Sequence, residues 1–144
     1  MACNQALLRS PVIANRFGPH RDIQCIDYAS AVDAWSQPAP PGSEKLFKCV
    51  FPMWDNSSRR VTSIPSIFHG STPALYADWL RYCLRQAQPG DFVFINAWNE
   101  WAESAYLEPD LHFGHAYLEA TWRALQEEVP AARGLESHRP AVAR

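Results

Sequence analysis

Two short, nearly continuous apolar runs constrain this chain more than any other feature: LFKCVFP at 46–52 and DFVFIN at 91–96. Runs that do not alternate with polar residues suit strands covered on both faces, the habit of parallel sheets. Between them, Ser71-Thr72-Pro73 reads as a helix start, with a hydroxyl cap ahead of a proline in the first turn. The helix is predicted to run to about Gln88, with Leu75, Trp79, Tyr82 and Cys83 on one face, and Pro89-Gly90 stops it. Asp27 can cap an earlier helix over 28–35, whose apolar face is Tyr28, Ala31, Val32 and Trp35. A third amphipathic helix is predicted over about 114–128, with Tyr117, Leu118, Trp122 and Leu125 inward. QPAPPG at 37–42 breaks the chain, 55–70 reads as a long polar loop, and the run Pro11-Val12-Ile13-Ala14 is too short to assign.

Strand, loop, helix, then strand, loop, helix again is the order that makes a parallel sheet with crossover helices. Long loops follow the strands, whereas the helix-to-strand turn at Pro89-Gly90 is minimal. That asymmetry fits a TIM-type barrel, whose functional face lies at the strand C-termini. Such barrels take roughly 200–250 residues or more, and this chain has 144. The expectation is therefore an α/β chain forming the C-terminal portion of an incomplete (β/α)8 barrel over residues 1–128. An Ala/Pro/Arg-rich tail at 129–144 is expected to be disordered. A missing N-terminal barrel half, or self-association, is the expected partner for the unpaired sheet edges.

Charge and cysteine usage narrow the function. The formal net charge is −2 and the basic residues form no stripe, which argues against a nucleic-acid backbone as partner. No apolar run approaches the roughly 18 residues of a membrane span, and no secretory leader is visible at Met1. Cys3, Cys25, Cys49 and Cys83 form no Cys-x-x-Cys pair, so reduced core thiols in a cytoplasmic protein are the expected state. His112 and His115 lack a third ligand nearby, and neither a metal nor another cofactor is expected.

The chemistry is expected at 95–110, INAWNEWAESAYLEPD, directly after the second apolar run. A solvated loop has little use for two tryptophans, and a buried one bears the desolvation of two carboxylates only with partners. Glycosyl transfer and hydrolysis need this combination: one carboxyl to protonate the leaving oxygen and another, ionised, as base or nucleophile. Glu100 and Glu103 lie near each other if the stretch turns helically, and like charges held close push the two titrations apart. Trp98 and Trp101 would lower the local polarity and offer flat faces to a sugar ring. Asn96 and Asn99 can donate to sugar hydroxyls or orient the carboxylates. Trp54 and Asp55, at the end of the first apolar run, are further sugar-binding candidates, although DNSS at 55–58 also suits a plain turn. Arg59 or Arg60 could meet an anionic sugar or a phosphate, and Glu108 could support the site. The plain alternative makes Glu100 and Glu103 surface residues of a helical first turn; the flanking tryptophans and the strand-end position argue against it.

The stretch FINAWNEWAESAYLEPD at 94–110 closely resembles the signature of the WbsX-like glycosyltransferase family, related to glycoside hydrolase family 99 and the endo-α-mannosidases. FPMWDNSSRR at 51–60 looks like that family's second signature, and the resemblance extends over roughly residues 12–128. It implies a (β/α)8 barrel acting on carbohydrate, with members found among polysaccharide and O-antigen biosynthesis genes. By the same resemblance Glu100 is the base acting on the substrate's own 2-hydroxyl, through a 1,2-anhydro-sugar intermediate, and Glu103 is the general acid/base. Ser104 departs from the pattern, which generally has glycine there; if the position needs a positive φ, serine is strained.

The reading is a carbohydrate-active enzyme fragment that hydrolyses or transfers a glycosidic bond with the Glu100/Glu103 pair, active as the full-length protein and inactive as this chain alone. The rival is a carbohydrate-binding or catalytically inactive remnant of the barrel. A metal-dependent hydrolase lacks ligands.

Overall fold

The computed structural model describes residues 15–16, 22–38, 47–60 and 64–129; the run at 11–14 and the tail at 130–144 lie outside them. Within these the chain is a mixed α/β structure with three helices and small sheets, and the described strands close no barrel.

Strand β1 (Asn15–Arg16) pairs antiparallel with β2 (Asp22–Asp27), which runs directly into helix α1 (Tyr28–Trp35). Asp27 ends the strand and caps the helix, accepting from the Ser30 N–H and hydroxyl at 2.8 Å each. The next elements are β3 (Lys48–Val50), β4 (Trp54–Asp55), β5 (Ser66–His69) and helix α2 (Pro73–Gln86). Thr72 caps α2 from the Leu75 N–H, with Pro73 in its first turn, as the sequence predicts. After the Pro89-Gly90 turn come β6 (Val93–Ile95), the hairpin strands β7 (Asn99–Glu100) and β8 (Ala105–Tyr106), and helix α3 (Ala116–Glu128).

The two apolar runs do pair in parallel: β3 lies beside β6 with Lys48 opposite Val93 and Val50 opposite Ile95. A second sheet runs β1-β2-β5-β4, in which β2 and β5 are parallel and β5 and β4 antiparallel. The stretch read as a polar loop over 55–70 thus contains strand β5. Ile67 and Phe68 are its apolar residues, Phe68 packing against the core, and pairing with β2 and β4 completes the strand.

The core lies between β3/β6 and the helices. Tyr28, Val32, Val50, Tyr76, Trp79, Leu80, Cys83, Tyr117 and Ala124 fill it, and α2 packs along α3. The buried face of α2 is Tyr76, Ala77, Trp79, Leu80 and Cys83, so the expected stripe is rotated, and Leu75 and Tyr82 flank it. On α3 the small Ala124 and the Thr121 hydroxyl, bonded to Tyr76 at 2.9 Å, let the helices approach closely. Trp122, expected inside, points outward and is 59% exposed. An aromatic cluster closes one end: Trp35 stacks on Trp79 at 5.4 Å, and Phe51 meets both edge-on.

The expected cover on both faces of the two apolar strands is not met: among the described residues one face of β3/β6 is covered, where Val50, Val93 and Ile95 pack against the core. The alternate residues Phe47, Cys49, Phe92 and Phe94 form an exposed face on which the three phenyl rings touch one another. The described residues supply no second layer over it.

The C-terminal end of β3 is held by hydroxyls. Tyr28 donates to the Phe51 carbonyl at 2.6 Å, and Ser71 donates to the Pro52 carbonyl and bonds the Tyr117 hydroxyl at 2.8 Å. Burial pushes the Tyr117 phenol up to about 12 and Tyr28 upward as well, so both stay neutral donors at physiological pH.

Candidate functional site

Beyond Ile95 the chain leaves β6 through Asn96, whose N–H donates to the Val50 carbonyl at 2.8 Å. It then forms a hairpin in which Asn99 lies opposite Tyr106 and Glu100 opposite Ala105. The connection is one 3₁₀ turn, Trp101–Glu103, closed by Ser104. A 3₁₀ turn repeats every three residues, so positions i and i+3 eclipse. Glu100 leads into the turn from β7 and Glu103 ends it, and their carboxylates reach the same side, where both meet Arg59. The helical proximity expected from their spacing is met by a single turn.

Both carboxylates converge on one atom. Arg59 Nη1 lies 3.4 Å from Glu100 Oε1 and 3.2 Å from Glu103 Oε1. Arg59 reaches them from the turn after β4, which packs against the 3₁₀ turn. Arg59, one of two arginines that could meet an anionic sugar or simply face solvent, in the fold meets the two glutamates. Side-chain exposures of 40% for Glu100 and 20% for Glu103 leave the pair half open to water, not dry as expected. Trp98 and Trp101, expected to lower the polarity, are themselves about half exposed.

Ser104 has φ +50°, in the left-handed region, and its N–H closes the turn on the Trp101 carbonyl at 3.1 Å. The strain inferred from the absence of glycine is thus present. Trp101 lies flat on Tyr106 with ring centroids 3.8 Å apart, and donates its indole N–H to Glu108 Oε2 at 2.6 Å. One indole face is covered by tyrosine. Below it Asp110 accepts from the N–H groups of His112 and Phe113. Burial alone would raise the Asp110 carboxyl, but the Phe113 N–H, the Tyr106 hydroxyl and the His112 and Gly114 N–H groups outweigh it and hold the carboxyl below its ordinary range.

The remaining candidates are placed as follows. The Trp54 indole donates to the Ser66 hydroxyl at 3.1 Å, and Asp55 accepts from the Ser57 N–H at 2.9 Å, the turn contact that DNSS also suggested. Asn99 is exposed on β7, and the Trp98 carbonyl accepts from Leu107 and Glu108 at 2.8 and 3.0 Å. The fold brings Arg59, Glu100 and Glu103 together. Trp101, Tyr106 and Glu108 form an adjoining stack. The Tyr106 contact and the Ser58 hydroxyl, which donates to the Ala102 carbonyl at 2.9 Å, carried no sequence signal. Among the described residues no group of three His, Cys, Asp or Glu could hold a metal ion, and no helix is long and apolar enough to cross a membrane.

The chain is thus a mixed α/β structure whose paired carboxylates sit on the loop that follows a parallel strand. The model of the family described as Glycosyltransferase WbsX matches residues 3–121, and the chain belongs to that family. It is 41% identical over 110 residues to the uncharacterized protein WxcX of Xanthomonas campestris pv. campestris strain B100, a match covering 69% of this chain and 16% of that protein. To the uncharacterized protein WxcX of strain ATCC 33913 of the same pathovar it is 47% identical over 85 residues, 56% of this chain and 12% of that one. The chain thus spans less than a fifth of the length of these relatives. No solved structure matches it.

Proposed function

We propose that this chain is the part of a carbohydrate-active enzyme that carries its carboxylate pair, and that the full-length protein transfers or hydrolyses a glycosidic bond. The observation that carries the reading is the convergence of Glu100 and Glu103 on one side of a single turn after β6. Two oxygens that both reach one nitrogen at 3.4 and 3.2 Å lie within about 7 Å of each other. That bound accommodates the carboxyl spacing of about 5–5.5 Å used by retaining glycosidases.

In this reading Glu100 accepts the proton of the sugar's 2-hydroxyl as that oxygen attacks the anomeric carbon. Glu103 protonates the departing oxygen as the 1,2-anhydro ring forms; it then deprotonates the acceptor as this attacks the anomeric carbon, the ring opens, and Glu100 returns its proton to the 2-oxygen. Water as acceptor makes the reaction hydrolysis; a sugar hydroxyl makes it transfer. Trp98, Trp101 and Trp54 offer aromatic faces, and Asp55, Asn96 and Asn99 offer hydrogen bonds to sugar hydroxyls. The fold in this reading is the C-terminal portion of a (β/α) barrel. The open face of Phe47, Cys49, Phe92 and Phe94 is the barrel's interior side, which further strands of the whole protein cover. The free thiols of Cys25, Cys49 and Cys83 suit a reducing compartment, and we place the enzyme in the cytoplasm, acting in polysaccharide or O-antigen synthesis.

Glu103→Gln in the full-length protein is expected to lower turnover by about 10²–10⁴-fold, the range for a lost general acid, while calorimetry shows sugar binding almost unaltered. Unchanged turnover would remove Glu103 from the mechanism. The same open face also favours a second reading, a sugar-binding remnant, for which binding persists and no glycosidic bond is turned over even in the wild type.

A further inference from the structure

We infer that Arg59 is the positioning residue of the carboxylate pair, holding Glu100 and Glu103 side by side through one shared nitrogen; this rests on the reading of the pair given above. Two carboxylates brought to one side of a turn repel each other whenever both are ionised. Left alone, each side chain would swing outward, since both are partly exposed and free to change rotamer. A cation between them offsets that repulsion, and Arg59 is the cation placed there.

Its own position is built rather than incidental. Asn56, 3% exposed, anchors the turn before it: its side-chain oxygen accepts from the Ser66 N–H at 2.8 Å and its N–H donates to the Ser66 carbonyl at 3.3 Å. The Asn56 carbonyl accepts from the N–H groups of Arg59 and Arg60, both at 3.1 Å. Ser58 then ties the turn to the glutamate loop through the Ala102 carbonyl. Arg59 follows that tie by one residue, so its backbone is held close to Glu103 by Ser58 and within its own turn by Asn56.

The stoichiometry argues against an anion receptor. The guanidinium nitrogen is shared by the two carboxylates and so is engaged within the protein, not turned outward to a phosphate or a uronate. The contact also uses a single nitrogen and not the two-pronged fork that distinguishes arginine. A lysine that reaches the same point should hold the pair nearly as well.

Carboxyl footprinting of the full 144-residue chain tests this without a substrate. Glutamate and aspartate side chains are coupled to glycine ethyl ester with a carbodiimide and quantified by mass spectrometry in wild type, Arg59→Gln and Arg59→Lys. In Arg59→Gln the labelling of Glu100 and Glu103 is expected to rise together by about two- to fivefold, the factor that partly exposed ion pairs are worth. Asp33 and Glu119, exposed and remote, are expected to stay constant and report that the fold is intact. In Arg59→Lys all four are expected near wild type, a rescue by charge that a merely steric role would not give. Unchanged labelling of the two glutamates in Arg59→Gln would overturn the proposal. If that variant unfolds, Arg59→Lys decides: labelling of the pair raised above the controls overturns it, and retained protection upholds it. Turnover that ignores Glu103→Gln while the footprint behaves as expected would sink the catalytic reading and leave the clamp standing.

Discussion

Ser104→Gly should stabilise this chain, and the size of the gain follows from two opposed effects. Ser104 holds φ +50° at the end of the 3₁₀ turn. A left-handed residue with a Cβ is strained by about 1–2 kcal/mol, because the Cβ crowds the following carbonyl oxygen. Glycine removes that strain but gives the unfolded chain more freedom, costing about 0.4–1 kcal/mol. The centres of these ranges leave a gain of about 0.8 kcal/mol, or a melting midpoint roughly 2–4 °C higher for a domain of this size. Urea titration followed by tryptophan fluorescence reads it directly, and the slope with denaturant should not change, since no additional surface is exposed on unfolding. Ser104→Ala is the control: it keeps the Cβ, so it should give no gain. A glycine variant no more stable than wild type, or an alanine variant stabilised equally, would refute the strain argument.

Asp27→Ala should cost about 1 kcal/mol by removing the cap of α1. The Ser30 backbone N–H and then its hydroxyl hold the Asp27 carboxyl below its ordinary 3.8. The stabilisation is therefore complete above that value and lost as pH falls through the lower folded value, so wild-type and alanine unfolding curves should draw together as the solution is acidified below the ordinary carboxylate range. Asp27→Asn should keep the cap without this pH dependence, and a wild-type advantage over alanine that does not shrink on acidification would exclude the carboxylate as the cause. Phe94→Asp, on the open face of β6, should reduce concentration-dependent self-association in sedimentation velocity, with stability changed by no more than about 0.5 kcal/mol. A stability loss above about 2 kcal/mol would mean that the face is buried.

What could be read from the sequence were features whose cause is local. The caps Asp27 and Thr72 act within three residues, the Pro89-Gly90 stop acts on its own backbone, and the carboxylate pair is separated by one turn. Strands β2 and β5 were missed because each is a strand chiefly by virtue of the other: Gln24 pairs with Ser66, and Ile67 with Cys25. Helix α3 was read with Trp122 inside because hydrophobicity favours it, but helix contact distance decided, and Ala124 with Thr121 allowed the closer approach. The partner of the two glutamates was unreadable for the same reason as β5. Arg59 belongs to another loop, and only tertiary folding brings its guanidinium to Glu103.

The hairpin that carries the carboxylates also limits how the loop can vary in length. Asn99 and Glu100 are zipped to Tyr106 and Ala105 on either side of a four-residue link. Adding or deleting one residue there would leave Glu100 paired while rotating Glu103 by about a third of a turn, out of line with its mate. Changes in loop length must therefore be made outside 99–106, in the segments that lead into and away from the hairpin.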